Sequence, residues 1–254
     1  MKIGIIGGTG VYNPDLVSDV KEVVIDTPFG KHSDMIEGKI GNTAVVMCFR
    51  HNRDHSLPPH MINFKANFHA LKKLGVTRVI SVCATGSLRE DFKPADFVVP
   101  DQFIEWGENT TFFDGPEVYH LSMADPFCPE LRNILFNAAK LAGVRCHNKG
   151  TYIRIPGPRF STRAESKMYR QFADLIGMTG VPEAILAKEQ GMCQAILASI
   201  TDYDVWAEKP VSHEEVARVM KESLGNTNRI LLSALKNIKE PKCNCAKALE
   251  GAKA

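Results

Sequence analysis

The chain has no run of about 18 apolar residues of the kind a membrane-spanning helix needs, so no span is expected. It also lacks a strong charge of either sign. Its 31 basic and 29 acidic side chains leave a formal charge of +2, which offers no field for nucleic acid or an anionic membrane. Any anion it binds must be held locally. Residues 1–10 carry a short apolar run ending in glycines, without a basic start or a small-residue cleavage site, so no secretory signal is expected and the chain is placed in the cytoplasm. Seven cysteines (Cys48, Cys83, Cys128, Cys146, Cys193, Cys243, Cys245) never fall into paired CxxC ligands, and on that spacing no metal is expected. The oxidation state of the Cys243-Asn-Cys245 pair stays open, because cytosolic disulfides are mainly a habit of hyperthermophiles.

What is present suits a folded core: 254 residues, 44% hydrophobic and 24% charged. Apolar runs predict strands at Lys2–Ile6, Val23–Ile25, Thr43–Cys48, Val79–Val82, Phe97–Val99, Thr151–Ile155 and Cys193–Ile200. Helical spacing predicts helices over Ile62–Leu74, Glu130–Ala142, Thr162–Ala173 and His213–Lys236, the first two stopped by Gly75 and Gly143. Alternation of the two argues for an α/β sheet with helices on both faces. No linker or repeat interrupts residues 1–240, so one domain is expected, and the polar tail 241–254 with its CxC pair is expected to fray.

Four segments at predicted strand ends carry chemistry, and strand ends are where α/β sheets bind ligands. Gly7-Gly8-Thr9-Gly10 could bring backbone N–H groups to a phosphate, yet it has neither the Gly-Lys-Ser/Thr ending of a P-loop nor the third glycine of the dinucleotide fingerprint, where Asn13 stands. Arg50-His51-Asn52-Arg53-Asp54-His55 supplies guanidinium forks suited to phosphate, or else a charge-balanced loop. Cys83-Ala84-Thr85-Gly86-Ser87-Leu88 gives small residues and hydroxyls, or an ordinary turn. Thr201-Asp202-Tyr203-Asp204 puts two carboxylates about 7 Å apart along an extended chain, or closes a strand with an Asx turn. Convergence of all four favours one composite pocket.

At these residues the chain resembles the methylthioadenosine phosphorylases of the trimeric purine nucleoside phosphorylase superfamily. The resemblance runs from about Lys2 to Leu232 and includes Gly7-Gly8-Thr9-Gly10, Thr27-Pro28-Phe29-Gly30, Arg50-His51, Gly86-Ser87-Leu88-Arg89, Asp101-Gln102-Phe103-Ile104, Ala124-Asp125-Pro126-Phe127-Cys128, Gly157-Pro158-Arg159-Phe160-Ser161, Met178-Thr179, Val181-Pro182-Glu183 and Thr201-Asp202-Tyr203-Asp204. It implies a single α/β domain with a central mixed β-sheet flanked by helices. It implies a phosphate site from Thr9, Arg50, His51, Cys83, Ala84 and Thr179, with Met178 against the ribose, Phe160 on the purine, and His120 reaching the 5′ region from a neighbouring subunit of a trimer or dimer of trimers. Cys83 stands where the family carries a threonine, and Asn52 where relatives usually carry glycine.

The expected activity is phosphate-dependent cleavage of the N-glycosidic bond of a purine nucleoside, with inorganic phosphate as co-substrate and no cofactor. Asp202 is the candidate acid toward N7 and Asp204 its orienter. Ser161 and Asp202 occupy positions where 6-oxopurine phosphorylases of the superfamily carry glutamate and asparagine, which favours methylthioadenosine, with adenosine beside it. His213 resembles the histidine that binds a 5′-hydroxyl in ordinary nucleoside phosphorylases, or else simply opens a helix. A 6-oxopurine phosphorylase is the alternative within the class, and a non-catalytic nucleoside-binding protein on the same fold the alternative outside it.

Overall fold

Residues 1–8, 16–107 and 109–254 are described by the structure, a computed structural model. The apolar run after Met1 forms strand β1 (Lys2–Gly7), followed by β2 (Ser18–Val23), β3 (Asp34–Ile40), β4 (Thr43–Phe49), helix α1 (Phe64–Lys73) and β5 (Val76–Ser87). The chain continues through β6 (Phe97–Val98), β7 (Gln102–Glu105), α2 (Pro129–Leu141), β8 (Cys146–His147), β9 (Thr151–Arg154), α3 (Arg163–Tyr169), β10 (Leu175–Gly177), α4 (Gly180–Glu189), β11 (Cys193–Asp202) and α5 (His213–Asn237). Among the described residues all the strands join one mixed sheet, whose spine runs β2-β3-β4-β1-β5-β10-β9-β7. The single domain with a central mixed sheet is the architecture the sequence implied.

The length of β5 decides where the sheet opens. With 12 residues it outruns β1, whose pairing with it stops at Ser81. Past that point β10 takes the vacated edge in antiparallel fashion, Leu175 opposite Ser87. The other edge carries β11 in parallel, from Cys193 opposite Arg78 to Asp202 opposite Gly86. The sheet therefore forks at the C-terminal end of β5, which makes a crevice of the kind that binds ligands in open α/β sheets. A register shift between Ile200 and Asp202 re-aims the last side chains of β11 into it.

Alternation along the strands sends side chains to both faces. Ile3 and Ile5 of β1, with Ile80 and Val82 of β5, meet Leu131 and Leu135 of α2 and Ile230 and Leu231 of α5. Ile6 and Val79 point the other way, onto Phe64, Phe68 and Leu71 of α1 and Leu186 of α4.

Several elements differ from the sequence expectation. The strand expected at Val23–Ile25 ends at Val23, and Val24 is exposed. Helix α3 is shorter than Thr162–Ala173 at both ends: Thr162 is its N-cap, closed into a capping box with Glu165, and the helix stops at Tyr169 with Arg170 as its C-cap. No helix was expected at α4. Val181, Glu183, Ala184, Leu186 and Ala187 are all buried there, so it lacks the polar face that marks a surface helix. Nor does the tail fray: Ala254 donates to the Val118 carbonyl at 3.0 Å, and the Ala252 carbonyl accepts from the His120 N–H at 2.8 Å. Gly191, at φ +65°, lets the tail pass so close that a Cβ there would stand 3.2 Å from the Ala246 carbonyl oxygen.

Candidate active site

At the fork lies a cavity of about 630 Å³, walled by the ends of β5, β10 and β11, the segment after β4 and the start of α5. Arg50 forms part of its floor. The guanidinium is 2% exposed and grips Glu183 of α4 twice, Nε donating to Oε1 at 2.6 Å and Nη2 to Oε2 at 2.9 Å. Nη1 donates to the Val82 carbonyl at 2.7 Å. The bidentate fork expected for phosphate is thus engaged by Glu183, because a buried cation needs a buried counterion in the free protein.

Thr179 is the N-cap of α4, yet its side chain makes no capping bond. Its hydroxyl instead donates to the Cys83 sulfur at 3.7 Å. Thr179 and Ala84 line the cavity, and the first turn of α4 adds the positive end of a helix dipole. Cys83 does not line it. Strand alternation turns its side chain into the core beside Tyr152 and Ile196, and burial pushes the thiol up to about 11, so it acts behind the site as a neutral acceptor for Arg50 and Thr179. Burial, and then the Arg50 charge, bring the His51 pKa down to about 4. The ring is therefore neutral at pH 7, its Nδ1–H donates to the Leu57 carbonyl at 2.7 Å, and Nε2 is left as an acceptor. Thr9 lies outside the described residues.

At the other end Gly86 lets Asp202 approach, since a Cβ there would stand 2.9 Å from Asp202 Oδ1. Thr201 Oγ1 donates to Asp202 Oδ2 at 2.7 Å and the Asp204 N–H donates to Oδ1 at 2.7 Å. Asp204 sits at φ +50°, so the chain turns back on itself instead of running extended. The Asx-turn and paired-carboxyl readings of this motif are both realised. Burial raises the pKa of Asp202 against the two hydrogen bonds it accepts, with the Asp204 and Glu215 charges adding to the rise. Burial raises Asp204 as well, although the Ser166 and Ser161 hydroxyls beside it pull the other way. Two neighbouring carboxyls with raised pKa values can hold a proton for transfer. Ser161 is buried and does not line the cavity, so the substrate contact expected of it is not made directly.

Phe160, Met178 and His213 line the remaining wall. His213 is the first residue of α5, after the N-cap Ser212 whose hydroxyl accepts from the Glu215 N–H at 3.2 Å; it opens a helix and faces the cavity at once. Val216, Met220 and Leu224 extend that wall along α5. Sequence reasoning passed over them, because an apolar stripe at this spacing reads equally as core. It named Glu183 and His55 only within their motifs and gave neither a role; His55 stacks on His51 at 4.7 Å. His120 is exposed and does not line this cavity.

Residues 2–236 match the family model described as "Phosphorylase superfamily". The chain is 55% identical to the S-methyl-5′-thioadenosine phosphorylase of Thermofilum pendens, covering 99% of this chain and 98% of that one. The chain belongs to the methylthioadenosine phosphorylase branch of the phosphorylase superfamily. The enzyme of that name from Pyrococcus abyssi is 54% identical, with 98% of each chain covered. A methylthioadenosine phosphorylase from an antarctic soil metagenomic library superposes with a TM-score of 0.93 at 41% identity, over 99% of this chain and 92% of that one. A mutant adenosine/methylthioadenosine phosphorylase of Schistosoma mansoni, solved in complex with methylthioadenosine, gives 0.90 at 36% identity, over 100% and 99%.

The two departures from the family pattern have local explanations. Asn52, in place of glycine, adopts φ +60°, a conformation asparagine tolerates better than other side chains. Its amide is used as well, Oδ1 accepting from the Asp34 N–H at 3.2 Å and Nδ2 donating to Ser56 Oγ at 3.1 Å. Cys83 leaves the threonine's hydroxyl contact to its neighbours.

Proposed function

We propose that the chain is an S-methyl-5′-thioadenosine phosphorylase, releasing adenine and 5-methylthioribose-1-phosphate, with adenosine as a second substrate. The observation that carries this reading is a buried carboxyl of raised pKa, Asp202, lining one cavity with Arg50 and Thr179, an anion floor, and with a mostly apolar wall from α5.

In this mechanism phosphate lies on Arg50, Thr179, Ala84 and the opening of α4, below the anomeric carbon, and His51 Nε2 accepts from the phosphate O–H. Phosphate oxygen forms the new bond to C1′ as the C–N bond breaks, and the bonding pair leaves with the purine. Asp202 gives its proton to N7, which removes the charge developing on the base. Asp204 orients that acid. Holding phosphate and sugar together supplies much of the rate. Phosphate is the nucleophile, and this reading gives no role in the reaction to a metal or an organic cofactor. A trimer or dimer of trimers would let His120 reach a neighbour's 5′ region. All seven cysteines are free thiols and, among the described residues, no helix is long and apolar enough to cross a membrane; both suit a cytoplasmic location.

The deciding experiment measures adenine release from methylthioadenosine with and without phosphate. Release should require phosphate and yield the 1-phosphate sugar; equal release in phosphate-free buffer would indicate a hydrolase.

His213 stands at the head of a wall that Val216, Ala217, Met220 and Leu224 make mostly apolar, with Lys221 the other polar residue of α5 to line it, and we assign the 5′-hydroxyl contact to His213. His213→Val should lower kcat/KM for adenosine by roughly 10-fold, the worth of one hydrogen bond to a polar group left unpaired at about 1–3 kcal/mol. Turnover of methylthioadenosine should hold or rise. An equal response of both substrates would reduce His213 to a helix-opening residue.

A further inference from the structure

Four cysteines from three stretches of chain meet at the end of β11 opposite Asp202. Cys193 opens β11, Cys128 is the N-cap of α2, and Cys243 and Cys245 come from the C-terminal segment. Across the 10 residues of β11, at about 3.3 Å each, the group lies roughly 30 Å from Asp202. It takes no part in the cavity chemistry.

The four sulfurs lie within 4.8 Å of one another. Cys243 Sγ is 3.7 Å from Cys128 Sγ and 3.3 Å from Cys193 Sγ, and none is in a disulfide. Two thiolates each about 2.3 Å from a tetrahedral zinc ion stand about 3.8 Å apart, whereas a disulfide brings its sulfurs to about 2.05 Å. The observed spacings, from 3.3 Å to at most 4.8 Å, bracket that of a tetrathiolate shell and are too long for a disulfide. The shell is also closed: four protein ligands converge and no position is left open, which is the pattern of a structural site.

Its surroundings call for negative charge. The Leu131 N–H donates to Cys128 Sγ at 3.4 Å at the start of α2, where the helix dipole favours a thiolate. Arg78 is the register partner of Cys193 on the neighbouring strand and so shares its face of the sheet. The Arg78 side chain is 1% exposed; Nη2 pairs with Glu130 at 2.8 Å, while Nε and Nη1 have no hydrogen-bond partner. A buried guanidinium with two unanswered donors is costly. Glu130 already shares its carboxylate with the Lys242 N–H at 2.9 Å, so a second anion is needed nearby.

We propose that Cys128, Cys193, Cys243 and Cys245 bind one zinc-class divalent ion as a structural tetrathiolate. On binding, four S–H bonds give way to four metal–sulfur bonds, four protons pass to solvent, and a dianion remains beside Arg78, with no change of oxidation state. The ion fastens the C-terminal segment to α2 and β11, and that segment in turn holds the backbone of residues 118–120. Spacing rules miss the site because only the CxC pair is close in sequence; the fold supplies the other two ligands.

The test loads the reduced full-length protein with Zn(II), removes excess by gel filtration and measures bound metal by mass spectrometry, with a parallel sample in Co(II). One zinc per chain is expected, together with sulfur-to-cobalt charge-transfer absorption and the intense visible bands of a tetrahedral tetrathiolate. Cys245→Ser and the double variant Cys243→Ser/Cys245→Ser should lose the ion, and Cys146→Ser should keep it. The proposal is overturned if no zinc is retained, if the cobalt form lacks thiolate absorption, or if the double variant still binds. A metal-free native protein with these four cysteines paired in two disulfides overturns it equally.

Discussion

Asp202→Asn is expected to lower kcat/KM for methylthioadenosine by roughly 10²- to 10⁴-fold, the usual worth of a positioned general acid, while the thermal midpoint moves little. The carboxyl accepts from Thr201 Oγ1 and from the Asp204 N–H, and an amide oxygen keeps one of those contacts. It cannot supply a proton that leaves with the purine. The loss should differ between substrates, because a carboxyl can donate to N7 or accept from a 6-amino group, whereas an amide presents one fixed donor end and one fixed acceptor end. Inosine, with an oxygen at position 6, should lose less. The pH profile is a second readout. Burial raises the pKa of Asp202, so the acid form survives above the ordinary carboxylate range and is lost as pH rises through the raised value; the wild type should lose activity along that limb and the variant should lack it. Steady-state kinetics on both nucleosides across this range decide the matter. A fall below about tenfold, or an equal fall for both substrates with an unchanged pH profile, would remove Asp202 as the acid.

How much of this could be read in advance depends on whether the signal was local. Strands β1 and β11 are buried along almost their whole length, and buried parallel strands read as unbroken apolar runs. Residues of all four strand-end motifs line the one crevice, the first through Gly8 alone, since Thr9 and Gly10 lie outside the described residues. What the sequence hid was pairing across distance. Arg50 and Glu183 are 133 residues apart, and nothing near either one announces the other. Cys83 and Ala84 could not be ranked until strand alternation turned one to the core and the other to the cavity. The cysteine group is the extreme case, since Cys128 and Cys243, 115 residues apart, become neighbours only when the tail docks. Helix α4 escaped notice for the opposite reason, being buried on so many sides that its period of 3.6 leaves no polar stripe.

The distant pair Arg50 and Glu183 carries the second large effect. Glu183→Gln keeps the shape of the side chain but leaves a guanidinium of 2% exposure without its counterion. Breaking a buried pair from one side costs about 3–5 kcal/mol, on the order of a 10 °C fall in the thermal midpoint for a chain of this size. Phosphate should then stabilise the variant more than the wild type, because it becomes the anion that Arg50 faces, and a ligand that binds only the folded state stabilises in proportion to the logarithm of its saturation. The freed fork also allows the bidentate phosphate contact that Glu183 otherwise pre-empts, so KM for phosphate should fall even as the apoprotein weakens. The double variant Arg50→Met/Glu183→Leu separates the two roles. Removing both charges should recover much of the lost stability, since an apolar replacement of a buried pair is often neutral or better, while phosphate KM should rise by roughly 10-fold or more for want of a charge-assisted contact. Calorimetry with and without phosphate, beside phosphate-dependence kinetics, reads both quantities. If Glu183→Gln melts with the wild type and its phosphate KM is unchanged, Arg50 does not depend on Glu183 for its place, and the anion floor must be built from Thr179, Ala84 and the opening of α4 alone.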